Sequence, residues 1–242
     1  MVHVLTRVMR AAALARVMRA AALARVTRAA ALAGVVSLTA LSPALSQQRQ
    51  DGPAEVPVAE LMKPPGDLPE ITLGPADAKV TIVEYASLSC GHCASFHKNV
   101  LPELKTKYID TGKIRLIMRD HPGNDRAVAG AMLVRCVAND RAYPLITALF
   151  NLQEQWAFVK ESPLPKLLDI SKQAGFTEET FNKCLTDDKL LKTINSNFEH
   201  ALRDYGVRAT PTFFVNGKRM QGAPTMESFD KAIAEAEGKP NG

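Results

Sequence analysis

An α/β domain interrupted by a helical insertion is the fold class this chain of 242 residues predicts. Three patterns carry that expectation. Two β-rich runs, KVTIVEYA (79–86) and GKIRLIMRD (112–120), bracket a helical stretch. Beyond them, as far as Tyr205, only helical periodicity is found. At Thr210 the β signal returns in PTFFVNGKRMQG. The length suffices for one domain with a sizeable core.

Residues 1–46 form a leader with its own logic. RVMRAAALA (7–15) recurs at 16–24 and, as RVTRAAALA, at 25–33. This nine-residue period is too short for a solenoid unit. A basic start, the uncharged run AAALAGVVSLTALSPALS and a small-residue exit predict a secretory signal cleaved near Ser46. The run is just long enough to be an uncleaved anchor, but Pro43 near its end favours cleavage. The leader also explains the net charge of +5. It holds six arginines and no acid, which leaves 24 basic against 25 acidic residues in the body. The basic balance therefore gives no reason to expect a nucleic-acid partner.

Residues 47–68, rich in Gln, Pro and Gly, predict a linker with one short turn of helix at best. PEITLG is a first short strand, and 79–86 is a buried one. Gly91 to Ile109 is helical, with Phe96, Val100, Leu104 and Tyr108 at spacings of four and a kink expected at Pro102. Ile114, Leu116 and Met118 alternate in a second core strand, which completes a βαβ unit. The insertion, about 122–206, holds helices at 125–139, 143–154, 163–174, 177–185 and 187–204, with Asp125, Ser162 and Thr177 placed as N-caps. Asn216-Gly217 between two short runs predicts a hairpin, and a last helix covers 225–236. Trp156 reads as core packing.

Chemistry concentrates in SLSCGHCASFH (87–97), where Cys90 and Cys93 stand at a strand-to-helix junction. A structural zinc site needs a second Cys or His pair, which is missing, so no metal is expected. Haem attachment needs His after the second cysteine, and Ala94 is there. A redox role has a mechanism. Unpaired N–H groups at the start of the helix and a protonated His92 would favour a Cys90 thiolate, with Cys93 as the resolving thiol. Stabilising the thiolate stabilises the reduced form, which makes the disulfide a stronger oxidant. Glu84, in an otherwise apolar strand, is expected beneath the pair, where it can take up the proton of Cys93. Behind an export signal, four cysteines allow two disulfides. A local Cys90–Cys93 pair leaves Cys136 with Cys184, a structural staple between two helices of the insertion, the alternative being two separately buried thiols.

VEYASLSCGHCASFH, the helical block and VRATPTFFVNGK together resemble the DsbA-like thiol:disulfide oxidoreductases of the thioredoxin-fold superfamily, over about residues 70–240. The resemblance is closest to exported bacterial members with an extra cysteine pair. It implies a thioredoxin fold with an inserted helical subdomain, Cys90 as nucleophile, Cys93 as its buried partner and Glu84 as the buried acid. It also implies that Thr210-Pro211 is a cis-proline loop whose backbone can pair with an extended substrate chain. The implied activity is a periplasmic oxidase that donates its disulfide to reduced or unfolded exported client proteins. It would act as a monomer without a cofactor and be reoxidised by a membrane quinone-linked partner. The dipeptide here is Gly91-His92 where the best-known members have Pro-His, and Thr210 stands where strong oxidases often have Val. A reductase or isomerase on the same fold is the alternative. A chaperone-like or copper-handling binder is a third class, with His97 as the nearby copper candidate.

Overall fold

The computed structural model describes residues 52–63, 66 and 68–238. The predicted signal and the first part of the predicted linker lie outside the described residues. Five strands form one mixed sheet: β1 (Ile71–Leu73), β2 (Val80–Ala86), β3 (Ile114–Asp120), β4 (Thr212–Val215) and β5 (Lys218–Arg219). Their spatial order is β1-β3-β2-β4-β5. β2 and β3 run parallel, with Val80 opposite Ile114, while β4 is antiparallel to β2, with Glu84 opposite Phe213.

The sheet is covered on both faces, and the period of two in its strands decides which side chain meets which layer. Val80, Ile82 and Ala86 of β2 and Ile114, Leu116 and Met118 of β3 belong to the larger core. Val83, Tyr85 and Ile117 point into a second cluster with Val56, Leu61, Tyr205, Val207 and Phe214. The crossover from β2 to β3 is α2 (Gly91–Asn99), then a kink at Val100, α3 (Leu101–Leu104) and a wider turn over Lys105–Ile109. Pro102 sits in the first turn of α3, where its missing N–H costs no helical bond.

The insertion comprises α4 (Asp125–Arg135), α5 (Asn139–Asn151), α6 (Leu164–Lys172), α7 (Glu178–Leu185) and α8 (Asp188–Asp204), all between β3 and β4. Two expected caps move. α4 is capped by Asn124 rather than Asp125, with Asn124 Oδ1 accepting from Ala127 N at 3.0 Å. α6 starts after Pro163, not Ser162. Thr177 does cap α7, in a reciprocal pair with Thr180. α5 begins four residues earlier than expected and runs through Pro144, because Ala142, Tyr143, Leu145, Ile146, Leu149 and Phe150 all find buried places on it. Trp156 is fully buried and donates from Nε1 to Leu149 O at 2.9 Å.

Asn216 (φ 44) and Gly217 (φ 84) take the left-handed backbone that the two-residue hairpin between β4 and β5 requires. α9 (Met226–Glu237) follows, capped by Thr225. The stretch read as a linker is packed onto the sheet. It contains α1 (Val58–Leu61) and lays a strap along β5, with Val56 N donating to Gly217 O and Arg219 N to Ala54 O, both at 2.8 Å. Gly217 is irreplaceable here, since a Cβ would stand 2.4 Å from Val56 O. Among the described residues no helix is long and apolar enough to cross a membrane.

Candidate active site

β2 ends at Ala86, and a short turn, with Cys90 N donating to Ser87 O at 3.0 Å, delivers Cys90 to the N-cap of α2. Cys90 has extended backbone (φ −88, ψ 122), while Cys93 lies one turn into the helix. This geometry separates the two thiols. Cys90 is half-buried and Cys93 is fully buried, and both are free thiols here.

The Cys90 thiol is lowered to about 5. A hydrogen bond from the Cys93 side chain is the largest cause, outweighing the opposing effect of burial; the Thr210 side chain and the backbone N–H groups of Cys93 and His92 add to it. The Cys93 thiol is pushed far up by burial first, then by its bond to Cys90 and by the negative charge of Glu84. Cys90 is therefore the thiolate at neutral pH and Cys93 its proton-bearing partner. His92 contributes through its backbone N–H. Its side chain, expected to act by charge, is exposed.

Glu84 is wholly buried on the β2 face beneath α2. His97 Nε2 lies 2.9 and 3.2 Å from the two Glu84 carboxylate oxygens, and with Nε2 protonated the imidazole donates to both. Sequence reading treated His97 only as a candidate metal ligand. Its i, i+4 relation to Cys93 was visible and places both on one face of α2. What sequence did not show was that the same face lies over Glu84. Tyr143 of α5 is buried nearby, and its hydroxyl pKa is raised well above the usual value by burial and the Glu84 charge.

The Thr210–Pro211 peptide bond is cis. Thr210 O lies 3.2 Å from Cys90 Sγ, which donates to it as the neutral thiol. A cleft of about 190 Å³ runs beside this loop, lined by Arg208, Pro211, Thr212 and Met220 among others. Two further residues, not anticipated from sequence, hold the cysteine loop from the insertion side. Gln153 Nε2 donates to Leu88 O at 2.8 Å and to Cys90 O at 3.0 Å. Asn124 Nδ2 donates to Ser89 Oγ at 2.9 Å. Gly130 of α4 lets this happen, since a Cβ there would come within 3.1 Å of Leu88 and 3.4 Å of Trp156.

Cys136 and Cys184 form a disulfide with Cα atoms 6.1 Å apart, joining the C-terminal end of α4 to α7. Among the described residues no group of three His, Cys, Asp or Glu is placed to hold a metal ion.

A thiolate at a helix N-terminus, a protonated buried partner and a cis-proline loop beside Cys90 have the geometry that dithiol–disulfide exchange requires. A sequence model of the thioredoxin family matches residues 67–235. The chain belongs to the DsbA-like branch of the thioredoxin family. It is 31% identical to alpha-DsbA1 of Wolbachia pipientis, whose crystal structure superposes with a TM-score of 0.69 over 76% of this chain and 98% of that one. A Rickettsia bellii relative that bears the provisional name protein-disulfide oxidoreductase is 34% identical over 174 residues, covering 70% of this chain and 67% of the relative. A protein-disulfide isomerase from Novosphingobium aromaticivorans, 22% identical, shares the fold with a TM-score of 0.63 over 70% of this chain and 98% of its own. The fold class is thus the DsbA type of thioredoxin fold, with helices inserted between β3 and β4, and the activity class is thiol:disulfide oxidoreductase.

Proposed function

We propose that this DsbA-like protein is an exported disulfide donor. Its direction is argued from one observation, the opposite displacement of the two thiols, with Cys90 lowered to about 5 and Cys93 raised. Any group that favours the Cys90 thiolate stabilises the reduced dithiol and makes the Cys90–Cys93 disulfide easier to give away.

A client thiolate attacks Cys90 Sγ of the oxidised pair, forming a mixed disulfide and releasing Cys93 as the leaving thiolate. Cys93 takes up a proton relayed from solvent through Glu84. A second client thiolate then attacks the client sulfur of the mixed disulfide and expels Cys90 as a stable thiolate. The client gains one disulfide, and the protein is left as the dithiol. His97 serves as a positioning residue that holds the Glu84 carboxyl against the face of α2 that carries Cys93. Thr210 and Pro211 receive the client backbone beside the sulfur. The Cys136–Cys184 bond is a structural staple that takes no part in exchange. Clients are reduced, unfolded exported proteins, the compartment is the periplasm, the protein works as a monomer, and a membrane quinone-linked oxidase restores the disulfide.

The test is the equilibrium reduction potential of Cys90–Cys93 against glutathione. A value near or above about −150 mV is expected for a donor; a value below about −220 mV would replace this reading with a reductase or isomerase.

A further inference from the structure

The turn that delivers Cys90 is gripped from the helical insertion at three successive residues. Gln153 Nε2 donates to Leu88 O at 2.8 Å and to Cys90 O at 3.0 Å, and Asn124 Nδ2 donates to Ser89 Oγ at 2.9 Å. An amide NH2 has two hydrogens, so both Gln153 donors are committed to this turn. Two carbonyl neighbours also fix which way the amide faces, since only its NH2 can meet both. Gln153 is 2% exposed and lies in the short turn Gln153–Gln155 that follows α5.

That amide has a firm base. Ala157 N donates to Gln153 O at 2.8 Å, and Trp156 Nε1 donates to Leu149 O at 2.9 Å, which ties the turn back to α5. Three residues before Gln153, at the end of α5, the Phe150 ring packs on His97 with centroids 4.4 Å apart. The end of α5 and the turn beyond it therefore meet α2 twice. Phe150 meets the histidine that holds Glu84, and Gln153 meets the carbonyl of the nucleophile.

Cys90 O already accepts from Ala94 N at 3.0 Å, the first bond of α2. Its second donor, Gln153, fixes the peptide plane that joins Cys90 to the helix. Leu88 O and Cys90 O carry partial negative charge close to a sulfur that must become an anion. Engaged by the Gln153 NH2, they are held in place and their charge is opposed. A catalytic geometry is only as exact as the groups that support it from behind.

We infer that Gln153 is a positioning residue for the nucleophile: its amide holds the Cys90 turn so that the sulfur stays at the start of α2, and so helps to set how readily the disulfide is given up. Both of its bonds go to backbone oxygens, so it acts through Cys90 and not on the client. The inference rests on exchange at Cys90 and deepens the donor reading, because it makes a residue of the insertion a determinant of the potential.

The experiment compares the full protein with Gln153→Met, which keeps the length of the side chain and removes both donors, and with Trp156→Phe. The second variant loses a hydrogen bond of the same turn but none to the cysteine loop. Thiolate absorbance against pH and the equilibrium potential against glutathione are read for each. In Gln153→Met the Cys90 midpoint should rise from about 5 by about one pH unit. The reduced form should lose about tenfold in its equilibrium with glutathione, a fall of about 30 mV for this two-electron couple. Trp156→Phe should melt at a lower temperature and keep the parent midpoint and potential. Gln153→Asn, whose amide is withdrawn by one methylene, should move as Gln153→Met does but less, and is read in its place should that variant not fold. Parent values in the Gln153 variants would overturn the inference, since the two bonds would then be structural only. So would an equal shift in Trp156→Phe, which would mean that any loosening of the turn suffices. A parent potential below about −220 mV would instead sink the donor reading, and the difference between parent and variant would still decide the role of Gln153.

Discussion

At the scale of single residues, the proposed function depends on two sulfurs held in opposite states one helical turn apart. Cys90 gains from every donor at the start of α2, and Cys93 is denied its charge by burial and by Glu84. The pH dependence has a definite sign. Cys90 has a folded pKa of about 5 against an ordinary value of 9.0. Its thiolate therefore stabilises the reduced protein fully above the ordinary value and ceases to do so as the pH falls through about 5. Ultraviolet absorbance of the thiolate in the reduced protein should rise with a midpoint near pH 5. The melting temperature of the reduced form relative to the oxidised should climb between pH 5 and 8. A midpoint near the ordinary thiol value would refute the asymmetry. Much of this site was legible in SLSCGHCASFH, because a C-x-x-C at a strand-to-helix junction fixes where the helix N–H groups must point. The Glu84–His97 bond was not legible, since it depends on how α2 lies across β2, and local spacing contains no such information. Gln153 was invisible for the same reason: a glutamine in a short turn gives no periodic signal, and its two acceptors lie more than sixty residues away.

Elements show where periodicity prevails and where it yields. β2, β3, α7, α8 and the β4–β5 hairpin lie within a residue or two of the positions their patterns require, because each has an alternating or helical face and a recognisable cap or turn. α5 departs from expectation because a proline near a predicted start reads as a first-turn residue. Here the buried face of the helix extends on both sides of Pro144, and packing outweighs one missing N–H. The Cys136–Cys184 bond acts at this scale. It closes a loop of 48 residues across α4 and α7, and chain entropy assigns such a loop roughly 4 kcal/mol. Replacing both cysteines by serine should lower the unfolding free energy in urea by up to that amount, with the loss concentrated in the helical insertion. An unchanged midpoint would mean that the staple constrains nothing.

For the molecule as a whole, the strap at 52–57 and α1 make the difference between an open and a covered sheet. Proline-rich composition reads as a linker, and nothing local reveals that Val56 and Leu61 will be buried, at 3% and 1% exposure, against Tyr85, Phe214 and Tyr205. Tyr205 Oη donates to Glu60 O at 3.1 Å, and Arg219 Nε to Pro53 O at 3.1 Å, so the strap also serves buried polar groups. Removing the chain up to residue 62 should cost about 3–6 kcal/mol from the two apolar side chains alone. It would also leave β5 as a bare edge prone to pairing with other chains. A thermal melt of the shortened protein, with light scattering to follow association, checks this; an unaltered melt would show the strap to be ornamental. The strap has a further consequence for a chain that emerges from its N-terminus first. Its seat, the strand at 218–219, is among the last segments to appear, and β2 must likewise wait for β4 at 212–215. The helical block in between can form on its own schedule, but the sheet cannot close until the tail arrives. Such a chain stays threadable through a narrow conduit almost to its end, and becomes a finished molecule only on release.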